Sequence, residues 1–152
     1  MSNVEQLFTL RPATAADYAW LWELKRVTMR PYVEQTWGTW NDQAQEQFFR
    51  RSYSSETVQI ILVDGRKAGL LHVEREPAEI FLANIQIHPT FQHAGIGTAA
   101  IRTVLQGAAA LRMSVRLQVL KVNTDAQRLY ARLGFAPASE SATHVILRWR
   151  PA

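Results

Sequence analysis

Ile85-Gln86-Ile87-His88-Pro89-Thr90-Phe91-Gln92-His93-Ala94-Gly95-Ile96-Gly97-Thr98-Ala99-Ala100 reads as the end of a strand, a polar turn with two closely spaced glycines, and the start of a helix. Glycines at 95 and 97 allow a ligand to approach the backbone without Cβ interference. The amides of a turn entering a helix N-terminus also converge on one point as anion donors. A phosphate or pyrophosphate fits that geometry.

The elements around this stretch follow from periodicity. Upstream, Val58 to Val63 forms a strand, Asp64-Gly65 a hairpin turn, and Ala68 to Val73 the antiparallel partner. Glu79 to Ile87 follows as a long, largely apolar strand expected at the centre of the sheet. Downstream, Ile101, Val104, Leu105, Ala108 and Leu111 mark an amphipathic helix beginning near Gly97. Val115 to Val119 is then a strand, and a crossover through one helix makes it parallel to the strand ending at Ile87. Asn123-Thr124-Asp125 caps a helix running through Leu133, closed by a left-handed Gly134. Phe135 to Ala138 and Thr143 to Trp149 complete an antiparallel hairpin.

The N-terminal part carries a short strand at Phe8 to Arg11 and a helix capped by Thr14 or Asp17, with Tyr18, Leu21 and Trp22 as its buried stripe. Pro31 and Gly38 break the next segment, Met29 to Trp40, which predicts a short helix and loop over a pocket. Tyr32 and Trp37 offer aromatic faces and Glu34 a carboxylate, a set suited to a cationic amine, although packing on the core accounts for the tryptophans equally well. Asn41 caps a further helix through about Arg51, with Ala44 and Phe48 facing inward.

The chain has 152 residues, 47% of them hydrophobic, which is about the size of one domain with a real core, so residues 1–152 are read as a single domain. No apolar run is long enough for a membrane span, and Met1 to Thr9 lacks a basic-then-apolar leader, so a cytoplasmic protein is expected. The absence of cysteine excludes disulfides, thiolate metal sites and a cysteine nucleophile. The four histidines show no metal-ligand spacing, so no metal is expected. Residues 1–79 carry nine Lys/Arg against eleven Asp/Glu, a net −2, and residues 80–152 carry eight against two, a net +6. A basic half around the glycine turn suits a polyphosphate. It lacks the aromatic-interleaved basic stripe of a nucleic-acid face, so no nucleic-acid partner is expected.

Gly95-x-Gly97-x-x-Ala100 formally satisfies the dinucleotide fingerprint but fails on context. His88 to Ala94 separate the strand from the first glycine, and no Asp or Glu occurs between Glu79 and Asp125 to hold a ribose. An antiparallel meander before the motif is also foreign to that fold. A P-loop fails for want of Gly-Lys-Ser/Thr.

The element order and the motif Gln92-x-x-Gly95-x-Gly97, preceded by Ile85-x-Ile87-x-Pro89, resemble the GNAT superfamily of acetyl-CoA-dependent N-acetyltransferases. A second signature agrees: Asn123-x-x-Ala126-x-x-Leu129-Tyr130-x-x-x-Gly134-Phe135. The resemblance implies an α+β fold: a mixed, mostly antiparallel sheet of about six to seven strands, with parallel splayed fourth and fifth strands and about four helices. It also implies acetyl-CoA as co-substrate. Pantetheine would pair with the backbone of the Ile85-Gln86-Ile87 strand, and the pyrophosphate would lie on the amides of Gln92, His93, Ala94, Gly95, Ile96, Gly97 and Thr98. Asn123 and Ala126 would stand beside the pantetheine arm. The family usually has a basic or glycine residue where this chain has His93 and Ala94, which shifts the burden of anion binding to backbone amides.

The implied chemistry is attack of a neutral amine on a thioester, which requires a proton acceptor for the amine and a proton for the leaving thiolate. Tyr130 matches the general-acid position, since a phenol with a pKa near 10 is protonated at pH 7. Asn123 serves equally as a plain helix cap and Tyr130 as a packing aromatic. Between Glu79 and Ile87 no carboxylate stands in as base, leaving Glu34, Glu74, Glu79 or a water chain. The expected enzyme acetylates a primary amine of a small molecule or peptide. A non-catalytic acyl-CoA-binding module is the alternative, and the resemblance is compatible with a homodimer.

Overall fold

In a computed structural model that describes residues 7–54 and 56–152, seven strands form one sheet in the order β1-β2-β3-β4-β5-β7-β6. The strands are β1 (Thr9–Pro12), β2 (Val58–Val63), β3 (Arg66–Arg75), β4 (Glu79–Ile87), β5 (Ser114–Leu120), β6 (Ala136–Glu140) and β7 (His144–Trp149). The helices are α1 (Tyr18–Trp37), α2 (Asp42–Ser52), α3 (Ile96–Ala110) and α4 (Thr124–Arg132). All neighbouring strands are antiparallel except β4 and β5, which run parallel across the α3 crossover. Asp64 and Gly65, with φ of 51° and 77°, supply the left-handed pair that a two-residue hairpin between β2 and β3 requires.

Each face of the sheet has its own core. Ile61, Leu71, Leu82, Val115, Leu117 and Val119 pack against α3, which presents Ile96, Ala100, Ile101, Leu105 and Ala108 at helical spacing, and α4 adds Leu129, Tyr130 and Leu133. On the opposite face Val58, Ile60 and Leu70 pack against Leu21 and Leu24 of α1 and Phe49 of α2. Asp17, buried at 2% exposure in a 3-10 turn before α1, accepts from Arg11 and Lys67 at 2.9 Å each, tying that turn to β1 and β3.

Two expectations are corrected. Pro31 does not break the chain into a short helix and loop: α1 runs unbroken to Trp37, and Gly38, with φ 89°, ends it by donating to the Glu34 carbonyl at 2.7 Å. Pro31 lies on the exposed side of α1, so the Val27 carbonyl it leaves unbonded can turn to water. In α2 the inward residue is Phe49, 8% exposed. Ala44 is exposed, and so is Phe48, at 58%. With Phe at both positions, composition does not distinguish them. The phase is decided by the aromatic cluster of Tyr18, Trp22, Phe49 and Tyr53.

Candidate active site

The parallel pair β4 and β5 is joined only at Glu79↔Ser114, Ile80↔Val115 and Phe81↔Arg116. Beyond Phe81 each strand follows its other neighbour, β4 staying on β3 through Ile87 and β5 on β7 through Leu120. A register shift in the β3–β4 ladder, where His72 pairs Asn84 and Val73 pairs Leu82, leaves Ala83 as an extra residue and bends β4 at the point of parting. The gap holds a cavity of about 700 Å³, walled by Leu82 to Gln86 on one side and Leu117 to Leu120 on the other. Parted strands present unpaired backbone groups to that space, and these require hydrogen-bonding partners from a ligand or water.

At the far end of β4 the chain turns into α3. His88 N–H donates to the Ala68 carbonyl at 2.7 Å, a 3-10 turn spans Pro89–Phe91, and the Gln92 side-chain amide returns to the Ile87 carbonyl at 2.8 Å. His93 and Gly95 adopt positive φ, 65° and 81°, and α3 begins at Ile96. The first bond into the helix is Ala99 N–H to Gly95 carbonyl, and among the described residues no backbone N–H from 93 to 98 donates to a backbone carbonyl outside α3. These free amides stand at the positive end of a 15-residue helix, in residues that are exposed at 93–95, buried at Ile96 and half-buried at Gly97 and Thr98. Gly95 is demanded by its backbone conformation. Gly97 is not, since a Cβ there would meet only the Ile87 side chain, at an ordinary 3.6 Å. The Gln92 side chain is already committed to Ile87, so anion binding falls to the amides.

Half of the basic residues in the second half are spent elsewhere. Arg116 pairs with Glu76 and Glu79, Arg148 with Glu79, Lys121 with Glu140 and Arg128 with Asp125. Those four cations are therefore not free to serve the turn. Glu79, expected to be a solvated charge, is partly buried at the closed end of the gap, and Arg148 and Arg116 hold its carboxyl below the usual range against the opposing effect of burial. The other carboxylates considered as bases are also bonded: Glu34 to Arg30 at 3.2 Å, and Glu74 to His72 Nε2 at 3.0 Å, which Thr57 also contacts.

Asn123, the cap of α4, and Ala126 and Tyr130 within that helix line the cavity. Asn123 Oδ1 caps that helix by accepting from Ala126 N–H at 3.2 Å, which leaves its amide protons for other partners. Tyr130 packs edge-on against Phe135 at 5.6 Å between centroids, and burial pushes its phenol up to about 12. The hydroxyl is thus a proton donor across the neutral range.

Of the aromatic set expected near an acceptor, Trp37 lines the cavity, whereas Tyr32 and Glu34 are not among its lining residues. Trp37 belongs instead to the stripe Lys25, Met29, Val33 and Trp37, one residue per turn of α1. The stripe is hidden in the sequence because Pro31, a residue that ordinarily divides a helix, falls within it. Also hidden are Phe48, Asn84 and His144, which line the same cavity and carry no motif of their own.

The model of the Acetyltransferase (GNAT) family matches residues 18–135 of the chain. Three solved structures are similar to it throughout. The PaiA N-acetyltransferase of Thermoplasma acidophilum in complex with coenzyme A is 17% identical, with TM-score 0.75, covering 95% of this chain and 99% of that one. The ribosomal-protein-S18-alanine N-acetyltransferase of Escherichia coli is 17% identical, with TM-score 0.70 and coverage of 95% and 94%. Arabidopsis thaliana Naa50 in complex with the bisubstrate analogue CoA-Ac-MVNAL is 15% identical, with TM-score 0.64 and coverage of 94% and 98%. No curated protein matches the chain in sequence.

Proposed function

The chain belongs to the GNAT family of acetyltransferases, and on that premise we propose that it transfers acetyl from acetyl-CoA to a primary amine by direct attack, with residues 1–152 acting as one domain. The observation that carries the proposal is the junction of two features: the gap between β4 and β5, and the row of free amides from 93 to 98 at one end of it. A linear ligand with an anionic middle and a thioester tip fits both at once. Solved structures of the Thermoplasma acidophilum and Arabidopsis thaliana neighbours, in complex with coenzyme A and a CoA-based bisubstrate analogue, support that reading.

In this account the amides of Gln92 to Thr98 hold the pyrophosphate, and the backbone of Ile85 to Ile87 pairs with the pantetheine arm. When bound, acetyl-CoA supplies an activated acetyl group as a thioester. Tyr130 holds a proton for the departing sulfur: its desolvated phenol keeps that proton at neutral pH and faces a thiol whose ordinary pKa is about 8.5. Backbone N–H groups near Ile87 stabilise charge developing on the carbonyl oxygen. Glu79 is unsuited to act as base, since it is engaged with two arginines at the closed end of the gap. The amine proton leaves through water in the open cavity.

Saturating acetyl-CoA should raise the melting temperature of the purified protein through linkage. A melting temperature unmoved by acetyl-CoA would remove the basis of the proposal.

A further inference from the structure

The cavity between the parted strands has one lysine, arginine, aspartate or glutamate among its lining residues: Lys25, from the middle of α1. A smaller recess of about 80 Å³ adjoins it, and Lys25, Phe48 and Asn84 line both spaces. The Lys25 ammonium has aromatic neighbours and no counter-ion among the described residues. Nζ lies 4.8 Å from the centroid of Phe48 and 5.7 Å from that of Phe49, and it forms no ion pair among the described residues. Burial with no compensating charge pulls its pKa down to about 8. An ordinary surface lysine would extend to water and titrate near its usual value.

A second group in the same cavity lacks a partner. Gln86, 5% exposed, has its side-chain oxygen buried with no hydrogen bond. A buried acceptor without a donor is costly, and a bound N–H would relieve it. The cavity lining thus offers a cation and a buried acceptor that have no partner among the described residues, while the carboxylate that would attract a cationic substrate, Glu34, is bonded to Arg30.

We propose that the acceptor is an amine that also carries a carboxylate, with the carboxylate held by the Lys25 ammonium and the amino group donating to the side-chain oxygen of Gln86. This deepens the acetyl-transfer reading and rests on it for turnover, but not for binding. It replaces the cationic acceptor suggested by Tyr32, Glu34 and Trp37. The bound carboxylate supplies the counter-charge that burial withholds, so binding requires the ammonium form and weakens as pH rises through about 8. The other titratable groups around Lys25 are His72 and Tyr53 in the recess, His72 being bonded to Glu74, and His144 and Tyr130 in the cavity, the Tyr130 phenol staying neutral between pH 7 and pH 9. From α1 and α2 the facing residues are Leu21, Met29, Gln45, Phe48, Phe49 and Ser52, all uncharged.

The test uses paired amines, each a free amino carboxylate and its carboxamide, with acetyl transfer followed by thiol release. Wild type should favour the carboxylates by about tenfold or more in kcat/KM. Lys25→Met should abolish that preference mainly through KM, and Lys25→Arg should restore part of it. Equal use of both members of each pair, or a preference that survives in Lys25→Met, would overturn the assignment. Binding of the same pairs to the CoA-loaded protein, read as a thermal shift at pH 7 and pH 9, decides it independently of turnover. A shift specific to the carboxylates that fades at the higher pH and is lost in Lys25→Met supports the assignment, and indifference to the carboxylate refutes it. Carboxylate binding without acetylation of any amine would instead count against the catalytic reading alone.

Discussion

The side-chain amide of Gln92 donates to the backbone carbonyl of Ile87 at 2.8 Å, joining the turn before α3 to the last residue of β4. The contact bridges the two parts of the proposed cofactor site, the strand edge and the amide row. Replacing Gln92 with Ala removes a hydrogen bond of about 1 kcal/mol, so the melting temperature should fall by about 2–4 °C and, with the turn loosened, acetyl-CoA affinity by up to about fivefold. Calorimetric titration checks this, and unchanged affinity would show that the turn is held without Gln92.

Tyr130→Phe keeps the ring against Phe135 and removes only the proton donor. Turnover should drop by about a hundredfold with cofactor binding nearly intact. Burial raises the folded pKa to about 12, so the phenol stays in its acid form throughout the usual assay range. Any loss of rate between about pH 8 and pH 10 must then come from another group. Full turnover in the variant would remove Tyr130 from the acid role.

Gly69 lies in β3 opposite Ile87, and a Cβ at that position would fall inside van der Waals contact with the Gln86 carbonyl oxygen, a backbone atom that cannot swing away. Gly69→Ala should cost about 1–3 kcal/mol of stability and weaken cofactor binding by displacing the end of β4. Denaturant unfolding and a binding titration on one preparation test both effects.

Asp17 is held ionised by Arg11, then Lys67 and the Thr14 amide, well below the usual carboxylate range despite burial. Its folded pKa is depressed, so its contribution is complete above the unfolded value of about 3.9 and is lost as pH falls toward the folded value. Asp17→Asn should therefore destabilise the protein by about 3 kcal/mol at pH 7, and the difference from wild type should narrow below about pH 4. Urea midpoints across that range give the comparison.

Local chemistry made much of the fold readable. Asp64-Gly65 specifies its hairpin, Asn123 its cap and Gly134 its left-handed helix end, because each acts through its own backbone neighbours. The parting of β4 and β5 was expected only from the family resemblance. It arises from two ladders pulling apart beside Ala83, which no single residue announces. α1 was misread because a proline on a solvent face is tolerated where one on an inner face is not. The acceptor side was hidden for the same reason: its residues belong to a stripe of α1 and to α2, and their meaning depends on what the sheet places opposite them.

The most direct measurement is thiol release from acetyl-CoA in the presence of a panel of amines, with mass analysis of the products. The account predicts stoichiometric thiol and N-acetylated amine with at least one amine, and strong reduction of both in Tyr130→Phe. Cofactor binding with no acetylated product from any amine would contradict it.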